Sequence, residues 1–169
     1  KTEFMSTDVT GVGTITDDAD YAKLNNNIAS VEENAMSNGT DSENSLTPAI
    51  SSVARGNILS DDIIGSNFSL TNVEIPGGTT DMSVPGQITV TTAQGNTLVV
   101  DITTGEYTYT LNNAVNHALG DGANGVVDSF TYTVSHNSGD AQTANLDVTI
   151  HDDTPVAFSQ TSSVYIGYD

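Results

Sequence analysis

Apolar residues fall on every second position in four segments of the chain: Leu98, Val100 and Ile102; Tyr107, Tyr109 and Leu111; Phe130, Tyr132 and Val134; Leu146, Val148 and Ile150. The positions between them are mostly Thr, Asp or Ser, so each segment offers one face to a core and the other to water. Four such strands in succession predict an antiparallel sheet covered on one side. Two sheets of that kind, face to face, make a sandwich, and the expected fold class is all-β.

Upstream the pattern is weaker. Ile88-Thr89-Val90-Thr91 reads as a strand that Ala93-Gln94-Gly95-Asn96 reverses, and Thr103-Thr104-Gly105 reverses the next one, so three strands form a meander over 88–111. Phe68, Leu70, Val73 and Ile75 alternate loosely and predict a strand with an irregularity, followed by a turn or loop at Pro76-Gly77-Gly78-Thr79-Thr80. A short strand is expected near Ile50 to Val53. Residues 19–30 carry no clear period and read as a linker, and 38–44 are too rich in Gly, Ser, Asp and Asn for a buried strand. The connection 112–127 is long; its first half has the composition of one helical turn and its glycine-rich second half does not.

Charge narrows the choice of partners. The chain of 169 residues holds 22 Asp+Glu against 3 Lys+Arg, a formal net charge of -19. Lys1, Lys23 and Arg55 cannot make a basic patch, which argues against binding to nucleic acid or to an anionic membrane surface. Divalent cations are the natural partners of such a surface. There are no cysteines, which excludes disulfides, thiolate metal sites and cysteine nucleophiles. No apolar run approaches the roughly 18 to 20 residues of a membrane span, so no membrane insertion is expected. The first residues lack a signal-peptide pattern, and an export address would lie outside this sequence.

Two short segments resemble each other: Val12-Gly13-Thr14-Ile15-Thr16-Asp17-Asp18 and Val148-Thr149-Ile150-His151-Asp152-Asp153. Each is a Thr/Val/Ile strand ending on paired aspartates, the trace of a tandem repeat. The expected organisation is the terminal strand of a preceding repeat over 1–18, a linker over 19–30, one repeat over 31–153, and a linker or the start of the next repeat over 154–169.

Several motifs stand in order along 31–155. They are Gly56-Asn57-Ile58-Leu59-Ser60-Asp61-Asp62, Gly95-Asn96-Thr97-Leu98-Val99-Val100-Asp101, Thr104-Gly105-Glu106-Tyr107-Thr108-Tyr109-Thr110-Leu111, Asp128-Ser129-Phe130-Thr131-Tyr132-Thr133-Val134 and Ile150-His151-Asp152-Asp153-Thr154-Pro155. Together they resemble the immunoglobulin-like repeats, of the VCBS or cadherin-like type, in the large RTX adhesins that bacteria export by type I secretion. The resemblance implies an immunoglobulin-like antiparallel sandwich with Greek-key type connections, repeated as an extender on the cell surface in adhesion and biofilm formation. It also implies Ca2+ at the junctions between neighbouring repeats of the same chain, and a monomeric fragment. In that family the last hairpin turn is commonly acid-rich, whereas Ser135-His136-Asn137-Ser138-Gly139-Asp140 carries one carboxylate.

Calcium takes six to eight oxygens, and adjacent acids on an extended segment point opposite ways, so a second segment must complete any cage. The first junction offers Asp17, Asp18 and Asp20 with Glu32 and Glu33; the second offers Asp152 and Asp153. Asp61, Asp62, Asp121 and Asp128 are further candidates that serve equally well as turn and cap formers. The alternative for each junction pair is a solvated strand end. Catalysis finds little support: His117, His136 and His151 lack metal-ligand spacing and read as loop or rim residues, and no nucleophile-elbow, zinc-protease or phosphate-binding motif is present. The expectation is a non-enzymatic, calcium-stiffened spacer. A second reading is a calcium-dependent module that binds a saccharide or peptide through the 112–127 loop or the polar 34–47 segment.

Overall fold

The alternation along the sequence is also the alternation of burial in three dimensions. A computed structural model of the chain describes residues 21–37, 51–117 and 125–152. Its strands are β1 (Ala22–Lys23), β2 (Asn27–Glu32), β3 (Val53–Asn57), β4 (Ile63–Ile64), β5 (Phe68–Glu74), β6 (Thr79–Asp81), β7 (Gln87–Thr91), β8 (Thr97–Asp101), β9 (Glu106–Thr110), β10 (Gly125–His136) and β11 (Ala141–His151). A single 3-10 turn, Glu33–Ala35, follows β2.

Two sheets carry the fold. One has four strands in the order β2-β11-β10-β5, the other five in the order β3-β9-β8-β7-β6, and a small pair, β1-β4, stands beside them. The inward positions of both sheets merge in one core. Leu70, Val73, Phe130, Tyr132, Val134, Leu146, Val148 and Ile150 come from the first; Ile88, Val90, Leu98, Val100, Tyr107 and Tyr109 come from the second. Tyr109 meets Phe130 edge-on across the layers, with ring centroids 5.9 Å apart and planes at 69°. Burying an aliphatic or aromatic side chain of this size contributes about 1.5–3 kcal/mol, and this term decides which face of each strand turns inward. The chain is thus an all-β sandwich.

The predicted meander is present as β7, β8 and β9, paired antiparallel in sequence order. Gly105 closes its second turn at φ +76°, where a Cβ would also stand 2.6 Å from Leu59 Cγ, so glycine is required there. The irregularity expected in the Phe68 strand is a register shift of β5 against Thr133 and Val134 of β10. The long strands run further than their apolar cores suggest: β10 begins at Gly125, inside the segment read as a connection.

Four expectations change. Within 19–30, read as a linker, β1 and the first part of β2 are strands, and β2 pairs in parallel with β11 from Asn27↔Leu146 to Glu32↔His151. Thr79 and Thr80, read as turn, belong to the exposed strand β6, which extends the five-stranded sheet beside β7. The strand expected near Ile50 to Val53 starts at Val53, and residues 111–117 form no helical turn. The repeat trace at 12–18 and the segments 1–18 and 154–169 lie outside the described residues.

Candidate metal centre

The parallel pairing of β2 with β11 brings two acids together at one end of the sandwich. Glu32 stands opposite His151 in the ladder. Each chain continues by one residue in the same direction, so Glu33 and Asp152 emerge side by side. Glu33 opens the 3-10 turn, with the Met36 N–H donating to its carbonyl at 3.0 Å, and this turn folds its side chain inward, 6% exposed.

The third member comes from the segment after β9. Leu111 N–H donates to Ser52 O at 2.9 Å, and the buried Asn96 side-chain oxygen accepts the N–H groups of Asn112 and Asn113 at 2.9 and 3.0 Å. Val115 N–H then donates to Glu33 Oε1 at 2.6 Å. So anchored, the segment delivers His117 into the same pocket, its side chain 5% exposed. Its Nε2 stands 3.2 Å from Glu33 Oε1 without the alignment of a hydrogen bond, and neither ring nitrogen has a hydrogen-bond partner. One ligand atom from each of Glu33, His117 and Asp152 lies within 4.8 Å of the others. Among the described residues, no lysine or arginine pairs with either carboxylate.

Two carboxylates and one imidazole are a donor set for a borderline divalent ion. They fit Ca2+ poorly, because that ion wants six to eight oxygens and the imidazole supplies nitrogen. No helix among the described residues is long and apolar enough to cross a membrane.

The remaining candidate acids lie elsewhere. Glu32 is half-buried at the end of β2, and its N–H donates to Ser51 O at 3.0 Å. Asp62 is half-buried and fastens the turn after β3 to the sheet: its Oδ1 accepts Asn25 N–H at 2.7 Å and its Oδ2 accepts the Tyr132 hydroxyl at 2.9 Å. Burial pushes the Asp62 carboxyl above its ordinary range and the neighbouring Asp61 charge adds to this, against the two hydrogen bonds. Asp61 is exposed, and its carbonyl accepts from the Asn25 side chain. Asp128 faces the core from β10, where Tyr109 donates to it. Asp17, Asp18, Asp20, Asp121 and Asp153 lie outside the described residues.

His117 is the member that sequence reasoning placed on a loop or rim. No local spacing connects it with Glu33 or Asp152, so only the tertiary fold reveals the group. A separate depression of about 640 Å³, lined by Arg55, Asn57, Gln87, Asp101 and Glu106 among others, shares no residue with it, and its aromatic liner Tyr107 is itself buried. Comparison with protein-family models and with curated proteins gave no match.

Proposed function

We propose that the chain is a load-bearing extender module of a bacterial surface adhesin, one of a string of similar repeats that holds a binding tip away from the cell. The observation that carries this reading is the parallel pairing of β2 with β11. Parallel strands share a direction, so the chain enters β2 beside Leu146 at one end of the sandwich and leaves β11 beside Glu32 at the other. A tension applied through the two ends therefore runs along the strands. The ladder from Asn27↔Leu146 to Glu32↔His151 is loaded in shear, and its evenly spaced hydrogen bonds must yield together.

An immunoglobulin-like topology is part of the proposal, and it is supported by the first long strand lying parallel to the last at the edge of a four-stranded sheet. Calcium bracing at the junctions belongs to it too, through Asp17, Asp18, Asp20 and Asp153 together with acids such as Glu32. The strongly negative composition supports that part, since cations would relieve the repulsion between acids crowded at strand ends.

Stretching single chains held at their two ends tests the reading. One cooperative rupture is expected, at a higher force than when the chain is held across the β10–β11 turn, where bonds peel one after another. Gradual extension, or equal forces in the two geometries, would overturn it. Identical melting curves in calcium and in EDTA would remove the calcium brace while leaving the mechanical role standing.

A further inference from the structure

We propose that Glu33, His117 and Asp152 form a binding site for a borderline divalent transition-metal ion, with Zn2+ the best match. The starting point is the imidazole. The His117 side chain is buried and neither ring nitrogen makes a hydrogen bond, Nε2 meeting Glu33 Oε1 at 3.2 Å out of line, and an interior polar group in that condition destabilises a fold unless something occupies it. A metal ion between the ring and the two carboxylates removes that penalty, and it also neutralises two like charges with which no lysine or arginine among the described residues pairs.

The spacing suits such an ion. Two ligands at about 2.1 Å from a tetrahedral Zn2+ stand about 3.4 Å apart, and Glu33 Oε1 and His117 Nε2 are separated by 3.2 Å. The Val115 N–H fixes one carboxylate oxygen of Glu33, the kind of outer contact that orients a metal ligand. Three protein ligands leave a fourth position for water or for a group from outside the module.

The ligands come from three places: the turn after β2, the segment after β9 and the end of β11. One ion would tie both sheets together where β11 ends, and zinc binding would therefore appear as folding stability. The inference does not depend on the extender reading, because a chain that ruptures in shear yet ignores zinc sinks the metal site alone.

The test uses the full chain, freed of metal with EDTA and dialysed, then titrated calorimetrically with ZnCl2 and separately with CaCl2. One tight zinc equivalent is expected, with a raised melting temperature, and His117→Ala or Asp152→Asn should weaken that binding by about 100-fold or more. Calcium at the same concentrations should leave this site empty. Because a variant at a buried position can misfold, the wild-type chain supplies an independent readout: the His117 ring nitrogens should shift in a long-range 1H–15N spectrum at one equivalent of zinc. Unchanged His117 resonances, equal zinc affinity in the variants, or calcium binding as tightly as zinc would each overturn the proposal.

Discussion

The hydroxyl of Tyr109 donates to Asp128 Oδ2 at 2.7 Å inside the sandwich, joining the five-stranded sheet to the four-stranded one through a buried polar contact. Both residues sit on inward positions, Tyr109 0% and Asp128 7% exposed, so neither can turn to water if the other is lost. Tyr109→Phe should therefore cost about 1–3 kcal/mol by leaving a carboxyl oxygen unpaired in the core. Replacing both partners, Tyr109→Phe with Asp128→Val, should cost less than the sum of the single changes. Urea unfolding of the four proteins in the cycle measures the difference, and strict additivity would show that the contact is not coupled.

The same contact shapes the response to alkali. Burial, then the Asp128 acceptor and its charge, push the Tyr109 phenol above its ordinary value of 10.0, with Asn96 opposing; burial and Asp62 do the same to Tyr132, and burial alone raises Tyr107. A raised phenol is protonated in the folded chain when the unfolded chain already loses its proton. Its stabilising contribution is complete below about pH 10 and declines as pH rises beyond that. Unfolding midpoints at about pH 8 and about pH 11 should differ, and Tyr109→Phe should flatten the alkaline limb. A limb of unchanged slope in that variant would contradict the assignment.

Asp62 makes the opposite kind of case from a stabilising ion. Its raised carboxyl gives a contribution that is whole below the ordinary aspartate range and lost as pH rises through the shifted value. Asn at this position keeps the network, since its oxygen accepts from Asn25 N–H and its nitrogen donates to the Tyr132 oxygen, whose single hydrogen is then free to go to Asn25 O. Asp62→Asn should thus stabilise the chain at neutral pH, by under about 1 kcal/mol because the group is partly solvated, and the gain should vanish at acid pH. Asp62→Ala, which strands the Asn25 N–H, should destabilise by about 1–2 kcal/mol. Midpoints in urea across pH check both signs.

Asp101 carries the reverse sign at the turn between β8 and β9. The N–H groups of Thr104 and Thr103 donate to its Oδ1 at 2.9 and 2.8 Å, and they hold its carboxyl below the usual range. Its contribution is present above the ordinary aspartate value and is lost as pH falls through the lowered one. Asp101→Ala should therefore weaken the chain at neutral pH and erase part of its acid sensitivity. A variant that loses stability equally at all pH values would mean that the turn is held by shape and not by the charge.

How much of this the sequence displays depends on which force places each residue. Leu98, Val100, Phe130 and Tyr132 are legible because burial alone sorts them, and period two exposes that sorting. The start of β2 is not, because Ile28 points outward at 85% exposure while Asn27 and Ala29 take inward positions beside the buried Val31; the free edge of β11 makes that segment a strand. Glu33 and Asp152 were visible as acids at strand ends. Their meeting with His117 was not, since it depends on a parallel pairing and on a loop tied down by Asn96, neither of which leaves a local pattern.

That parallel edge yields the sharpest mechanical prediction. Val31 on β2 and Val90 on β7 are both buried, 1% and 0% exposed, so Val31→Ala and Val90→Ala should each lower equilibrium stability by about 2 kcal/mol. Under tension through the chain ends they should differ. The load passes through β2 and β11, and rupture begins where β2 slides along its partner, so a weaker anchor at Val31 lowers the barrier directly. Val90 lies in the other sheet, outside the loaded pair, and its loss should leave the rupture force close to that of the wild type. Matching falls in rupture force for the two variants would mean that the load is shared by the whole core, and that the parallel ladder is not the element that resists it.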